Sequence, residues 1–195
     1  MSVAPRLYAL SLVFLIVLFA PENGVGQPTR DFDRTLGGDD YEEQNAIIRL
    51  SDGYLLGGNS RSASGTGEVG CTMYGNYDFY VTKTDFDLNP VWDRAFGGSG
   101  EDWLRAMVQV SDGGFMAAGY SNSGISGTKT GACRGNYDFW VVKFDVNGNL
   151  LWEKTFGGTG DDEAYSILEL PDRSGFVVAG FSNSNISQDK TEDCR

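Results

Sequence analysis

"GNYDFYVTKTD" occupies residues 75–85, and "GNYDFWVVKFD" occupies residues 135–145. The interval is 60 residues, and it returns on either side of both stretches. "DRTLGG" (33–38), "DRAFGG" (93–98) and "EKTFGG" (153–158) stand in line. "LSDGYLLGGNSRS", "VSDGGFMAAGYSNS" and "LPDRSGFVVAGFSNS" also align, with one residue added at each hairpin. Trp92 matches Trp152, with Phe32 in the same slot, and Cys71, Cys133 and Cys194 fall in equivalent loops. A fixed period of this size marks a stacked or circular repeat array.

Each period carries four strand signals. In the middle copy, "RAMVQV" (105–110) is short and apolar, and "GFMAAGY" (114–120) follows a Ser-Asp-Gly turn. "YDFWVVKFD" (137–145) is rich in aromatic and β-branched residues, and "LLWEKTF" (150–156) follows a "VNGN" hairpin signal. Alternation along the third strand puts Trp140, Val142 and Phe144 on one face and Phe139 and Val141 on the other. A strand apolar on both faces lies between two packed sheets. Four short antiparallel strands per repeat, sandwiched by neighbouring copies, describe a β-propeller blade. A β-solenoid is the second reading, although its coils need far fewer residues than 60. The aromatic positions Trp92, Trp140, Trp152, Phe139, Phe79 and Phe115 are therefore expected in the core.

"FGGTGDDEAYSI…GFVVAGFSNS" and "YDFWVVKFDVNGNLLWEKTFGG" resemble the bacterial β-propeller repeat of the SBBP type. They are still more similar to the repeats of large secreted or cell-surface bacterial proteins that often end in a type IX secretion sorting domain. The resemblance covers residues 31–195 and implies a propeller, export and a surface location. It implies no catalytic residues. It also makes the "AMVQV" strand innermost, which divides the chain into an outer strand (31–36), blades at 43–97 and 103–157, and a partial blade at 163–195. The chain stops at "EDCR" where "GNYDF" is due, so an incomplete all-β propeller is expected, because closure takes about four to eight blades. A Cys in each long loop and the lack of a sorting domain depart from the resemblance.

Residues 1–26 read differently. "LYALSLVFLIVLFA" (7–20) is uncharged and follows Arg6, which suits a signal-peptide core better than a membrane span; a short buried helix is the alternative. Cleavage is placed before Gln27. It would remove one base, Arg6, and one acid, Glu22, and so leave the net charge at −12. That charge opposes binding to nucleic acid and to anionic lipid. No second apolar run is long enough to span a bilayer.

The links between repeats and the loops between second and third strands leave from one face, where binding sites are disproportionately built. Glu101, Asp102, Trp103, Asp161 and Asp162 are the candidate ligand contacts there. Trp103 has two readings, a sugar-stacking partner for Asp102 or a ring packed over the sheet edge. "GGSGEDWLR" and "GGTGDDEAY" match the calcium nonapeptide, but such sites need tandem copies every nine residues, so both are read as Gly-rich turns. "DFDLN" (85–89) and "DVNGN" (145–149) match half an EF-hand loop, but Phe96 and Phe156 stand where the bidentate Glu is required. No metal site or cofactor is expected. The chain has no His, which removes Ser-His and Cys-His catalysis; only paired carboxylates could hydrolyse a glycoside. Cys71, Cys133 and Cys194 are disulfide candidates in an exported chain, with one left over.

Two functions remain open: a non-catalytic module binding an unknown extracellular protein or glycan, and a lectin-like or glycan-active domain. Repeats that bury their faces only against other repeats associate when uncapped. Residues 27–195 are accordingly expected to self-associate or to need further repeats; a cooperative, soluble monomer in sedimentation at micromolar concentration would contradict this.

Overall fold

The computed structural model describes residues 13–19 and 29–194. Among them there are strands and turns but no helix. Strands β1 (Val13–Phe19) and β2 (Thr29–Leu36) pair antiparallel as a two-stranded sheet. A four-stranded sheet follows in the order β3 (Glu42–Arg49), β4 (Tyr54–Ser60), β5 (Asp78–Thr84) and β6 (Pro90–Phe96). The second four-stranded sheet repeats this meander with β7 (Asp102–Gln109), β8 (Phe115–Ser121), β9 (Asp138–Phe144) and β10 (Leu150–Phe156). β11 (Asp162–Glu169) and β12 (Phe176–Ser182) form the last sheet. All ladders between these strands are antiparallel.

β2 contains the strand expected at 31–36. Its partner β1 lies inside the apolar run at 7–20, where "VFLIVLF" is uncharged and rich in β-branched residues and suits a strand. The helical alternative for that run therefore does not hold over residues 13–19. The rest of that run and the expected cleavage position lie outside the described residues.

Turn chemistry accounts for the hairpins. In "DVNGN" the Asp145 Oδ1 accepts from the amides of Asn147 and Asn149, both at 2.8 Å, and Gly148 takes φ 78°. In "DFDLN" Asp85 does the same for Asp87 and Asn89, and Leu88 takes φ 61° in the place of Gly148. The carboxylate that resembled a calcium ligand is thus committed to holding its own turn.

The sheets stack face to face, most closely through their first strands. β7 packs against β3, β4 and β5, and β11 packs against β7, β8 and β9. Alternation on β8 and β9 serves two cores at once. Leu55, Phe79, Val81, Phe96, Leu104, Phe115, Ala117, Trp140, Val142 and Phe144 form the core between the first and second sheets. Met116, Ala118, Val141, Ala164 and Ile167 form the one between the second and third. The two-faced reading of the third strand is therefore correct.

Trp140 is the largest fully buried side chain. Its ring lies 4.6 Å from that of Phe79, and its Nε1 donates to Glu153 Oε2 at 2.6 Å. Glu153 also accepts from the amides of Thr130 and Gly131, so one carboxylate holds both the aromatic wedge and the long loop. Asp93 repeats the role in the first sheet, accepting from Gly70, Cys71 and the Tyr80 hydroxyl. Three of the expected core residues are corrected. Trp152 is 39% exposed and Trp92 is only half-buried, because both lie on the fourth, outermost strands, and Phe139 is half-buried on the face of β9 turned to the third sheet. Replacing Trp140 by Ala should cost about 3–5 kcal/mol, and Trp152→Ala no more than about 1 kcal/mol. Equal costs in denaturant titrations would mean that the stacking is misassigned.

Candidate functional site

The links between sheets and the long second-to-third strand loops come together, as expected. The amides of Gly100 and Glu101 donate to Ser123 Oγ and Asn122 Oδ1, and the Thr128 amide donates to the Gly97 carbonyl. Parallel bridges tie Tyr77 to Glu101 and Tyr137 to Asp161.

Buried carboxylates organise these junctions. Asp102 Oδ2 accepts from the Gly98 amide at 2.7 Å and from Ser123 Oγ at 2.9 Å. Asp162 makes the same pair with Gly158 and Ser184, both at 2.7 Å. Glu42 fills the role in the first sheet, with Gly38 and Ser60. A second carboxylate stands beside each of the later two. Asp78 Oδ2 accepts from the Tyr74 and Gly75 amides, and Asp138 Oδ2 from the Arg134 amide. A Cβ on Gly97 would lie 1.8 Å from Asp78 Oδ1 and 3.0 Å from Asp102 Oδ2; one on Gly157 would meet Asp138 and Asp162 in the same way. The repeated Gly-Gly is thereby explained: its first glycine leaves room for two carboxylates.

Asp102 and Asp162 therefore depart from their expected role as ligand contacts. Both are buried and spent on the backbone of the turn. Asp161 stays at the surface, where its Oδ2 accepts from Asn183 Nδ2. Glu101 and Trp103 belong to a larger group. Glu101 Oε2 accepts from Trp103 Nε1 and from the Tyr137 hydroxyl at 2.7 Å. The Trp103 ring stacks on Tyr77, with centroids 4.3 Å apart. Arg105 lies over both Trp103 and Tyr120, donates to the Tyr120 hydroxyl and pairs with Glu43. Tyr41 and Tyr165 extend the strip at either end through edge contacts with Tyr77 and Tyr120. Both readings of Trp103 thus contain part of the observed geometry: the ring is packed, and it is packed within an aromatic, charged, half-exposed strip.

A β-bulge recurs at the same point of β3, β7 and β11, and Arg105 and Tyr165 of this strip stand at it. The register shifts between Gln44 and Ala46, between Leu104 and Ala106, and between Ala164 and Ser166, which sets Asn45, Arg105 and Tyr165 apart from the ladder. Bulges of this kind re-aim side chains next to functional sites. The sequence reasoning missed Arg105, Tyr77, Tyr120 and Tyr137. Tyr77 and Tyr137 sit in the GNYDF motif, whose recurrence pointed to packing, and a bulge leaves no mark in a short apolar run.

Cys71, Cys133 and Cys194 are all free thiols. Burial raises the Cys71 thiol, with Asp93 adding to it, and burial pushes Cys133 up to about 11. Among the described residues no group of three or more His, Cys, Asp or Glu is placed to hold a metal ion. No family model matches the chain, and no curated protein matches it.

Burial pushes the Asp78 carboxyl up to about 7, opposed by the Tyr74 and Gly75 amides and reinforced by the charge of Asp102. Asp102 and Asp138 are also raised, chiefly by burial. An unfolded Asp titrates near 3.9. A raised folded value gives stability that is fully present below the unfolded value and is lost as pH rises through the folded one. Asp85 and Asp145, held low by their Asn89 and Asn149 hydrogen bonds, act in the opposite sense and only below about pH 4. The thermal midpoint should therefore fall between about pH 4 and pH 7. Asp78→Asn should flatten this slope, and an unchanged slope in calorimetry of the variant would remove Asp78 from the account.

Proposed function

We propose that the chain is an exported, non-catalytic repeat module that binds an extracellular or cell-surface partner, and that its sheets are blades of a β-propeller. The observation that carries the binding reading is the strip of half-buried Tyr77, Trp103, Arg105 and Tyr137 around buried Tyr120, with Trp103 and Arg105 on the bulged strand β7 and the tyrosines on β8 and the loops beside it. Aromatic and arginine side chains fixed by mutual contacts lose little freedom on binding and dominate interface energetics. The propeller reading is supported by the 60-residue period, by the four-stranded meanders and by stacking closest at the first strands. Export is supported by the uncharged run at 7–20, and a surface location by the resemblance to secreted repeat proteins.

A glycan ligand is the second reading. Tyr137 and Trp103 share the Glu101 carboxylate, which places hydrogen-bonding groups at the edge of a stacked ring pair, the combination that holds a sugar. A glycan array beside a panel of immobilised surface proteins separates the two. Trp103→Ala and Arg105→Ala should each weaken the partner found by about tenfold or more, with the circular dichroism spectrum unchanged. Hydrolysis of any bound glycan would overturn the non-catalytic reading, and full binding by both variants would move the site away from the strip.

A further inference from the structure

The two inter-sheet grooves are built from equivalent residues, but only one is covered. Between the first and second sheets, Trp140 of β9 packs on Phe79 and Phe144 packs 5.3 Å from Phe96. Phe96 and Phe115 are each 2% exposed there. One repeat later their counterparts Phe156 and Phe176 are 46% and 37% exposed. Two cavities lie along this second groove. One, of about 250 Å³, is lined by Phe139, Phe156, Gly157, Asp162, Ser182 and Lys190. The other, of about 350 Å³, shares Phe139 and Phe156 and continues along Val141, Trp152, Phe176 and Val178.

The edge of β12 borders the same groove. β12 pairs with β11 on one side and has no ladder partner on the other among the described residues. The covered groove shows what such an edge takes. β8 pairs with β9 in the register Phe115 to Phe144, Ala117 to Val142, Gly119 to Trp140 and Ser121 to Asp138. Phe176, Val178, Gly180 and Ser182 hold the same positions on β12. The lysine is in place as well. Lys129 closes a tight turn with Ser126 and sets its Nζ 5.4 Å above the Trp140 ring. Lys190 closes the matching turn with Ser187 and lines the first cavity.

We infer that the β12 edge and its groove form a strand-acceptor site for an extended polypeptide segment with the residue pattern of β9: Asp, aromatic, aliphatic and aromatic at alternate positions. Backbone pairing supplies the attachment, and the two cavities select the alternate side chains, as in β-strand addition generally. The aromatic after the Asp enters the cavity beside Lys190, and the next two apolar residues lie over Phe156 and Phe176. This site uses residues other than those of the aromatic strip and stands independently of the function proposed for that strip.

The test uses the full chain and a synthetic peptide with the sequence of residues 135–145, GNYDFWVVKFD. Calorimetric titration should show saturable binding, and hydrogen exchange should show protection of Phe176–Ser182. Changing the peptide's Trp to Ala, or the acceptor by Phe176→Glu, should weaken binding by at least about tenfold. Leu151→Glu, on exposed β10 outside the groove, should leave it unchanged. Dissociation of a self-associated chain by the peptide would also support the site and make a second copy its natural occupant. Absence of binding, equal binding of the Trp-to-Ala peptide, or protection away from β12 would each overturn the inference.

Discussion

Two carboxylates occupy the space that a side chain at Gly97 would need, and the passage from one sheet to the next depends on that exchange. Asp78 comes from the third strand of one sheet, and Asp102 opens the first strand of the next. Between them they take the amides that the turn leaves without strand partners. Burying charge without such donors is costly, so each carboxylate persists only because the chain folds around it. The arrangement recurs with Asp138, Asp162 and Gly157, which is how two successive junctions acquire the same geometry.

The apolar side of the structure follows from that geometry. With the junctions fixed, β8 and β9 present one set of side chains to the preceding sheet and the alternate set to the following one. Trp140 reaches across, and Glu153 and Lys129 hold it from its own repeat. Burial would raise the Glu153 carboxyl, but the hydrogen bonds from Thr130 and Trp140 and the charge of Lys129 outweigh it and keep the group ionised. Buried polar groups of this kind are tolerable when every member is partnered.

Much of this was legible in the sequence. Period and alternation sufficed for the repeated strands from β2 onward and for the two-faced β9, but not for β1, which falls outside the repeat. The roles of the acidic residues did not. Asp102 and Asp162 look like loop charge on an acidic protein, and only the folded turn shows that Gly98 and Gly158 donate to them. Trp152 matched Trp92 by repeat, but the exposure of a fourth-strand residue depends on what lies beyond its own sheet. The bulges at Asn45, Arg105 and Tyr165 are set by strand pairing and have no signature in residue type.

The parallel bridges between Tyr77 and Glu101 bear on how the chain meets mechanical tension. Their two hydrogen bonds, Asn76 N to the Gly100 carbonyl and Asp102 N to the Tyr77 carbonyl, lie side by side between segments that run in the same direction. A pull along those segments slides one past the other, so both bonds must stretch together. A hairpin opened from its end yields one bond at a time. The joint between sheets is thus geometrically suited to resist shear, while a single hairpin such as β11–β12 is suited to peel first.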